Sequence, residues 1–375
     1  MRKNPEQQSE TPRIIISGGG TGGHIFPAIS IANALKLLLP NAEILFVGAL
    51  GRMEMERVPQ AGYTIVGLPV KGFDRKSLLR NIPVAIDLIR SMAIARRIIR
   101  DFRPQVAIGV GGYASGPVLR AANAKGIPVV LQEQNTYAGV TNKLLAQKAA
   151  VICVAYDGMQ RYFPAKKIVK TGNPVRNDLL SIRRGDPAAY EFFGLVPGKK
   201  TLLIIGGSLG ARTINQSIMA HMEGLSRSGV QVIWQTGRYY FEEARKASEN
   251  YQDSSLVVTD FISRMDYAFS VADVVISRAG AGTISELCLL AKPVILVPSP
   301  NVAEDHQTKN AMALVNKEAA LLVTDSEAKD KLVEAALGLL EQPEKMERLS
   351  ENIKALAEND SAGRIAEQVL KILNR

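Results

Sequence analysis

Short apolar runs alternate with longer amphipathic stretches along this chain, and the alternation begins again part-way through. Ile14–Ile16, Ile44–Val47, Val106–Val110 and Val129–Leu131 read as buried strands, with helices predicted over 27–38, 84–100 and 117–125. The second series places strands at Leu202–Ile205, Val230–Gln235, Leu256–Val258, Val274–Ile276 and Val294–Val297, and helices at 213–223, 238–248, 283–290 and 308–316. Runs that are apolar throughout fit strands covered on both faces, and strand–helix–strand succession requires a parallel sheet. The fold class is α/β, in two doubly wound domains, which the 375 residues accommodate at roughly 100–200 residues per domain.

Gly and Pro in TGNPVR mark 171–176 as the hinge. On this division 1–12 form a polar N-terminal extension, 13–170 the N-terminal domain and 177–354 the C-terminal domain. Residues 355–375 form a C-terminal helix expected to pack back on the N-terminal domain. Ligands of open parallel sheets lie at the carboxyl ends of the strands, which predicts a site in the cleft between the domains.

Each half opens with a strand running into a glycine-rich turn, IIISGGGTGGH at 14–24 and LLIIGGSLGARTIN at 202–215. A third turn, Gly111-Gly112-Tyr113-Ala114-Ser115-Gly116, follows another strand. Glycines let backbone amides approach a ligand, and a helix N-terminus favours an anion. Gly18, Gly20 and Gly23 also fit a dinucleotide fingerprint, which needs an acid at the end of the second strand to bind ribose. That strand ends Phe46-Val47-Gly48-Ala49 without one, which speaks against nicotinamide. Packing alone would also produce tight glycine turns, although three of them at strand ends are hard to explain that way.

The three histidines, His24, His221 and His306, are far apart, and neither H-x-x-x-H nor C-x-x-C occurs. D-x-D is absent as well. No metal and no organic cofactor is therefore expected, and fixed amides and arginines would stabilise a departing diphosphate. His24 ends the first glycine turn, where it could serve as a general base or simply brace the turn. Thr283 and Ser285 could cap the helix that follows Val274–Ile276. Glu286, expected in its first turn, could accept ribose hydroxyls or only complement the helix dipole.

Net charge is +10 and the pI about 9.5, which suits an anionic partner. Only 6% of residues are aromatic and they do not interleave with the basic ones, so nucleic acid is not expected. Nine basic residues between 71 and 103 (Lys71, Arg75, Lys76, Arg80, Arg90, Arg96, Arg97, Arg100, Arg103) face three acids, Asp74, Asp87 and Asp101. Phe73, Leu78, Leu79, Ile82, Pro83 and Val84 are mixed in. Such a stretch could lie on anionic lipid through Phe73, Lys76, Leu78, Leu79, Arg80 and Ile82. It could also be a solvated helix face whose other side, carrying Ile86, Ile89, Ala93 and Arg97, meets the core. The polar start MRKNPEQQSETPR predicts no signal peptide, and no apolar run is long enough to span a membrane. Two cysteines, Cys153 and Cys288, lie in apolar runs and suit a reducing compartment.

Seven motifs in order carry a resemblance: GGGTGGHIFPA at 18–28, GVGGYASGP at 109–117, EQNTYAGVTNK at 133–143, GNPVR at 172–176, GGSLGARTIN at 206–215, SRAGAGTISEL at 277–287 and DHQTKNA at 305–311. From about residue 13 to the C-terminus the chain resembles the MurG family of UDP-N-acetylglucosamine:lipid I N-acetylglucosaminyltransferases. The resemblance implies the GT-B fold, two Rossmann-like domains facing across a cleft, and a peripheral location on the cytoplasmic face of a bacterial membrane. It implies that Thr21, Gly22 and Gly23 lie against the donor and the acceptor's diphosphate. Asn135, Arg176 and Ser208 would contact UDP-N-acetylglucosamine, and the Ile262 backbone would read uracil. Ala281, Gly282, Thr283, Ile284, Ser285 and Glu286 would cover ribose and diphosphate, with Gln307 on the sugar. The acceptor would be lipid I, attacked through its muramyl 4-hydroxyl with inversion, His24 taking the proton. Cell-wall synthesis proteins are further candidate partners. Two other readings stay open: a UDP-N-acetylglucosamine 2-epimerase of the same fold, and a non-catalytic peripheral lipid- or nucleotide-binding subunit.

Overall fold

The computed structural model describes residues 11–72, 82–176, 179, 182–207, 209–251 and 255–374. The polar extension therefore lies outside the described residues up to residue 10. The chain divides into two compact units, one of residues up to Val175 together with Asp360 onward, the other Arg176–Asn359.

The first unit runs β1 (Arg13–Ser17), α1 (Gly22–Leu38), β2 (Glu43–Ala49), α2 (Glu54–Gln60), β3 (Thr64–Leu68), α3 (Ile82–Phe102), β4 (Val106–Gly109), α4 (Ser115–Ala124), β5 (Val129–Glu133), α5 (Val140–Leu145), β6 (Val151–Val154) and β7 (Ile168–Lys170). Its seven strands form a parallel sheet in the order β3-β2-β1-β4-β5-β6-β7. In register Ile14, Ile15 and Ile16 pair with Val106, Ala107 and Ile108, and all six are completely buried. Side chains at successive strand positions point to opposite faces, so both faces must be apolar. Ile15 joins the cluster under α3 and α4, while Ile14 and Ile16 join the one under α1.

The second unit contains α6 (Pro187–Phe193), β8 (Thr201–Ile205), α7 (Arg212–Ala220), α8 (Met222–Arg227), β9 (Gln231–Gln235), α9 (Phe241–Ser248), β10 (Leu256–Thr259), α10 (Met265–Val271), β11 (Val274–Ser277), α11 (Ala281–Leu289), β12 (Val294–Leu296), α12 (His306–Val315), β13 (Leu321–Leu322), α13 (Ala328–Leu340) and α14 (Pro343–Lys354). The order β10-β9-β8-β11-β12-β13 repeats the doubly wound plan. Trp234 on β9 is fully buried, and its indole N–H donates to Asn215 Oδ1 at 3.0 Å. Asn215 in turn donates to the Thr236 carbonyl at 2.7 Å, so this buried polar pair is satisfied.

The tail differs from its expected bounds. Leu356 and Ala357 pack on the second unit's core, and only from Asp360 does the chain count with the first. There α15 (Ser361–Leu373), N-capped by the Asp360 carboxylate on the Gly363 N–H, lies on α1 and buries Ile365, Ala366 and Val369. The helix predicted over 213–223 breaks at His221 into α7 and α8. α3 does keep one side in the core, but that side is Ser91, Ala95 and Ile99 and not Ile86, Ile89, Ala93 and Arg97. Ile82, Ile86, Ile89, Ala93 and Arg97, at helical spacing, form an exposed stripe.

Lys292, just before β12, is buried and donates to the Ala272 carbonyl at 2.7 Å. It lines a cavity of about 520 Å³ with Arg184 and Asp273. Burial pushes its ammonium down to about 8, helped by Arg184 and opposed by Asp273. The unfolded chain therefore binds this proton more tightly between pH 8 and 10.5. Lys292 destabilises the fold below that window, and the penalty fades as pH rises through it. In parallel melts against Lys292→Met, the parent should gain stability relative to the variant from pH 8 to 10.5. A difference that stays constant across the window would refute the shift.

Candidate functional site

In each unit the strand order reverses at one point, between β1 and β4 and between β8 and β11. Crossovers leave the sheet on opposite faces there, opening a crevice at the carboxyl ends.

At the first reversal the turn after β1 and the turn after β4 lie back to back. A Cβ on Gly112 would run into the Gly19 backbone, and one on Gly111 into the His24 ring. Only glycine permits this approach, and both residues also hold positive φ, +95° at Gly111 and +88° at Gly112. Ser115 Oγ donates to the Ser17 and Gly111 carbonyls at 3.0 and 2.8 Å, tying the two turns together. Thr21 is the N-cap of α1 but makes no side-chain cap, so the first turn of this 17-residue helix presents its Gly22 and Gly23 N–H groups uncapped. His24 is the third helical residue, with Nδ1 3.2 Å from Thr21 Oγ1. Thr21, Gly22, Gly23 and His24 thus come together at one helix start.

Two buried carboxylates that were given no role hold the neighbouring segments. Glu54 accepts from the Gly20 and Ala49 N–H groups. Glu133, at the end of β5, accepts from the Gly139 N–H and Asn142 Nδ2 at 2.9 Å each and from the Asn135 N–H at 3.1 Å. Burial raises the Glu133 pKa, and these donors oppose the rise. Asn135 is thereby fixed on the β5 turn, beside the β4 turn, where Gln134 donates to the Val110 carbonyl at 2.6 Å. Glu133 opens the EQNTYAGVTNK motif at 133–143, which is the available sequence signal. Glu54 had none, because its partner Gly20 is 34 residues away.

In the second unit the Gly206–Gly210 turn follows β8 and packs on Gly237, where a Cβ would strike the Gly210 backbone. Ser208 lies outside the described residues. After β11, Arg278 spans to the Val297 and Pro298 carbonyls at 3.0 and 3.2 Å and pairs with Asp325, which also accepts from Thr213 Oγ1 at 2.9 Å. This fixes the chain entering α11. The expected caps are corrected: α11 starts at Ala281 after extended Gly280, so Thr283 and Ser285 lie inside it, and Ser285 Oγ donates to the Ala281 carbonyl at 3.0 Å. Glu286 is accordingly the sixth helical residue, in the second turn. With Gly280 as N-cap and no side-chain cap, the N–H groups of Ala281, Gly282 and Thr283 point out of the helix.

Arg176 and Glu286, 110 residues apart, are brought together, with Nε 3.1 Å from Oε1 and both largely shielded. Ile262 is buried, with Ile284 in the same apolar cluster, and no other described residue hydrogen-bonds its backbone. Gln307, second residue of α12, accepts from the Ser299 N–H at 2.9 Å, which fixes its carboxamide just beyond β12. Of the stretch expected to meet lipid, Phe73, Lys76, Leu78, Leu79 and Arg80 lie outside the described residues, while Ile82 is 58% exposed. Among the described residues no helix is long and apolar enough to cross a membrane.

The glycosyltransferase family 28 N-terminal domain matches residues 14–154, and the family's C-terminal domain matches 201–368. A Bacteroides fragilis protein described as UDP-N-acetylglucosamine–N-acetylmuramyl-(pentapeptide) pyrophosphoryl-undecaprenol N-acetylglucosamine transferase is 62% identical over 371 residues, 98% of each chain. The chain belongs to this transferase family. It is a hexosyltransferase with the two Rossmann-like domains of the GT-B fold. The crystal structure of Acinetobacter baumannii MurG superposes with a TM-score of 0.75 at 25% identity, covering 96% of this chain and all of the other. A UDP-N-acetylglucosamine 2-epimerase superposes at 0.68 over 97% and 96% of the chains, but at 14% identity this is likeness of fold alone.

Proposed function

We propose that this chain moves N-acetylglucosamine from UDP-N-acetylglucosamine to the 4-hydroxyl of the muramyl unit of lipid I, forming lipid II. What carries the reading is the 62% identity, over nearly the whole of both chains, to a transferase described by that acceptor. The donor belongs to the second unit. Glu286, oriented by Arg176, accepts the ribose hydroxyls, and the Ile262 backbone reads uracil. The uncapped start of α11 takes the diphosphate, a helix N-terminus being a ready site for an anion. Ser208 and Gln307 complete the donor contacts.

The acceptor's diphosphate lies against Gly22 and Gly23, and Asn135, held by Glu133, is a further UDP-N-acetylglucosamine contact. A sugar hydroxyl is a weak nucleophile until its proton leaves. His24 Nε2 takes that proton, with the Nδ1–H donating to Thr21 Oγ1, which fixes the tautomer. UDP leaves, the anomeric centre inverts to β, and the amides at the start of α11 carry the developing charge without a metal.

We place the chain on the cytoplasmic face of the membrane as a peripheral protein, where its lipid-linked acceptor resides. Ile82, Ile86 and Ile89 are 58%, 47% and 70% exposed along α3, with Arg90, Arg96, Arg97 and Arg100 on the same helix. An apolar stripe beside arginines suits an anionic lipid surface.

Purified chain given UDP-N-acetylglucosamine and a lipid I analogue in EDTA should yield the lipid-linked disaccharide. His24→Ala should lower kcat by about 10²–10⁴-fold, with UDP affinity little changed. Near-normal kcat would remove His24 from proton transfer, and release of an epimerised sugar nucleotide would replace the whole reading. Glu286→Ala should weaken UDP binding about tenfold or more, the worth of a charge-assisted hydrogen bond. An unchanged dissociation constant in titration would return Glu286 to a purely structural pair with Arg176. Ile86→Ser with Ile89→Ser should lower partitioning onto phosphatidylglycerol vesicles in sedimentation and leave UDP affinity intact. Equal partitioning of parent and variant would detach the stripe from the membrane.

A further inference from the structure

Glu54, the first residue of α2, is 1% exposed, and no cation pairs with it among the described residues. Its Oε1 accepts from the Gly20 N–H at 3.1 Å and the Ala49 N–H at 3.0 Å, and its Oε2 lies 3.0 Å from the same Gly20 nitrogen. Burying a carboxylate without a counter-charge is expensive, and an apolar side chain of similar size would fill the space at no such cost. The surroundings are nevertheless shaped for it. A Cβ on Gly19 would collide with the carboxyl group, and one on Gly48 would meet the Glu54 Cγ.

The carboxylate joins two places that the sheet does not. Ala49 ends β2, and Gly20, at φ +89°, precedes the helix start that carries Gly22, Gly23 and His24. In a dinucleotide-binding fold the same two places, the first turn and the end of the second strand, receive the ligand's pyrophosphate and ribose. Here they are already occupied by an anion of the chain itself. A phosphate arriving at this turn finds the Gly20 amide engaged and the Gly22 and Gly23 amides open, next to the histidine.

We propose that Glu54 is a positioning residue, a built-in anion that locks the first glycine turn and steers the acceptor's diphosphate onto the Gly22–Gly23 amides beside His24. The steering half rests on the transferase reading, whereas the locking half does not.

The test is Glu54→Gln, which keeps the shape but removes the charge and sets an amide NH2 against the Gly20 N–H. If that variant does not accumulate, Glu54→Asp, with its shorter reach, takes its place under the same readings. In substrate-free protein, amide hydrogen exchange over residues 18–25 should speed up at least tenfold while exchange over 201–220 is unchanged. With substrates, kcat/KM for the lipid I analogue should fall at least tenfold, with UDP affinity within twofold of the parent. Unchanged exchange over 18–25 would overturn the lock. Faster exchange with normal kcat/KM, or a lower melting temperature alone, would overturn the steering and leave Glu54 a structural brace. A parent chain that transfers no sugar would sink the transferase reading and the steering with it, and the exchange measurement would still decide the lock.

Discussion

Where the strand order of a doubly wound sheet reverses, two neighbouring strands send their chains to opposite faces, and the backbone at their carboxyl ends is left uncovered. The candidate site in each unit follows from how that gap is lined. At the β1/β4 reversal it is lined by two glycine turns so close that a methyl group on Gly112 would displace the other backbone. That closeness seats the His24 ring on Gly111 and aims the start of α1 into the gap. At the β8/β11 reversal one side is again a glycine turn, and the other is the start of α11, steadied by Arg278 reaching to the carbonyls just beyond β12 and to Asp325. The same architectural accident is thus furnished once with a titratable ring and once with an ion pair over a helix start.

The sheet centres were legible in the sequence because a parallel strand buried on both faces reads as an unbroken apolar run. Ile14–Ile16, Leu202–Ile205 and Val274–Ile276 lie where the runs put them, and the run Val106–Val110 holds β4, which ends at Gly109. The outer elements were not legible. β3 is mostly half-buried and contains Gly67, and β7 and β13 are three and two residues long, too short to carry a period. Along α3 the 3.6-residue spacing defines a stripe, but spacing alone does not say whether the stripe faces core or solvent. That was decided by Ser91, Ala95 and Ile99, the side of α3 that is buried; the small side chains of Ser91 and Ala95 let α4 approach.

The site residues were legible as types and turns, not as partners. Arg176 and Glu286 were each singled out, but their pairing depends on a fold that closes 110 residues of chain. Thr283 and Ser285 looked like caps because hydroxyl residues favour that position. Gly280 holds the cap in extended conformation, and α11 begins two residues before Thr283. The consequence is chemical. A hydroxyl cap would have used up one of the first-turn amides, whereas a glycine cap leaves them to a ligand.

Both units also place shielded charged side chains behind their turns, and the group that engages the backbone differs in sign. Behind the first unit's turns stand Glu54 and Glu133, acceptors that consume N–H groups and leave only chosen ones exposed. Behind the second unit's stands Arg278, a donor that consumes carbonyls. Removing carbonyl oxygens from the rim of a crevice lowers its repulsion of an anion, while anchoring N–H groups on internal carboxylates does the opposite and must be offset by the open helix start. On the proposed reading, with Asp325 and Glu286 each paired to an arginine, this makes the second unit the stronger anion site of the two. On the same proposed reading the first holds the acceptor's diphosphate loosely, beside His24, in a position set by the Gly22 and Gly23 amides.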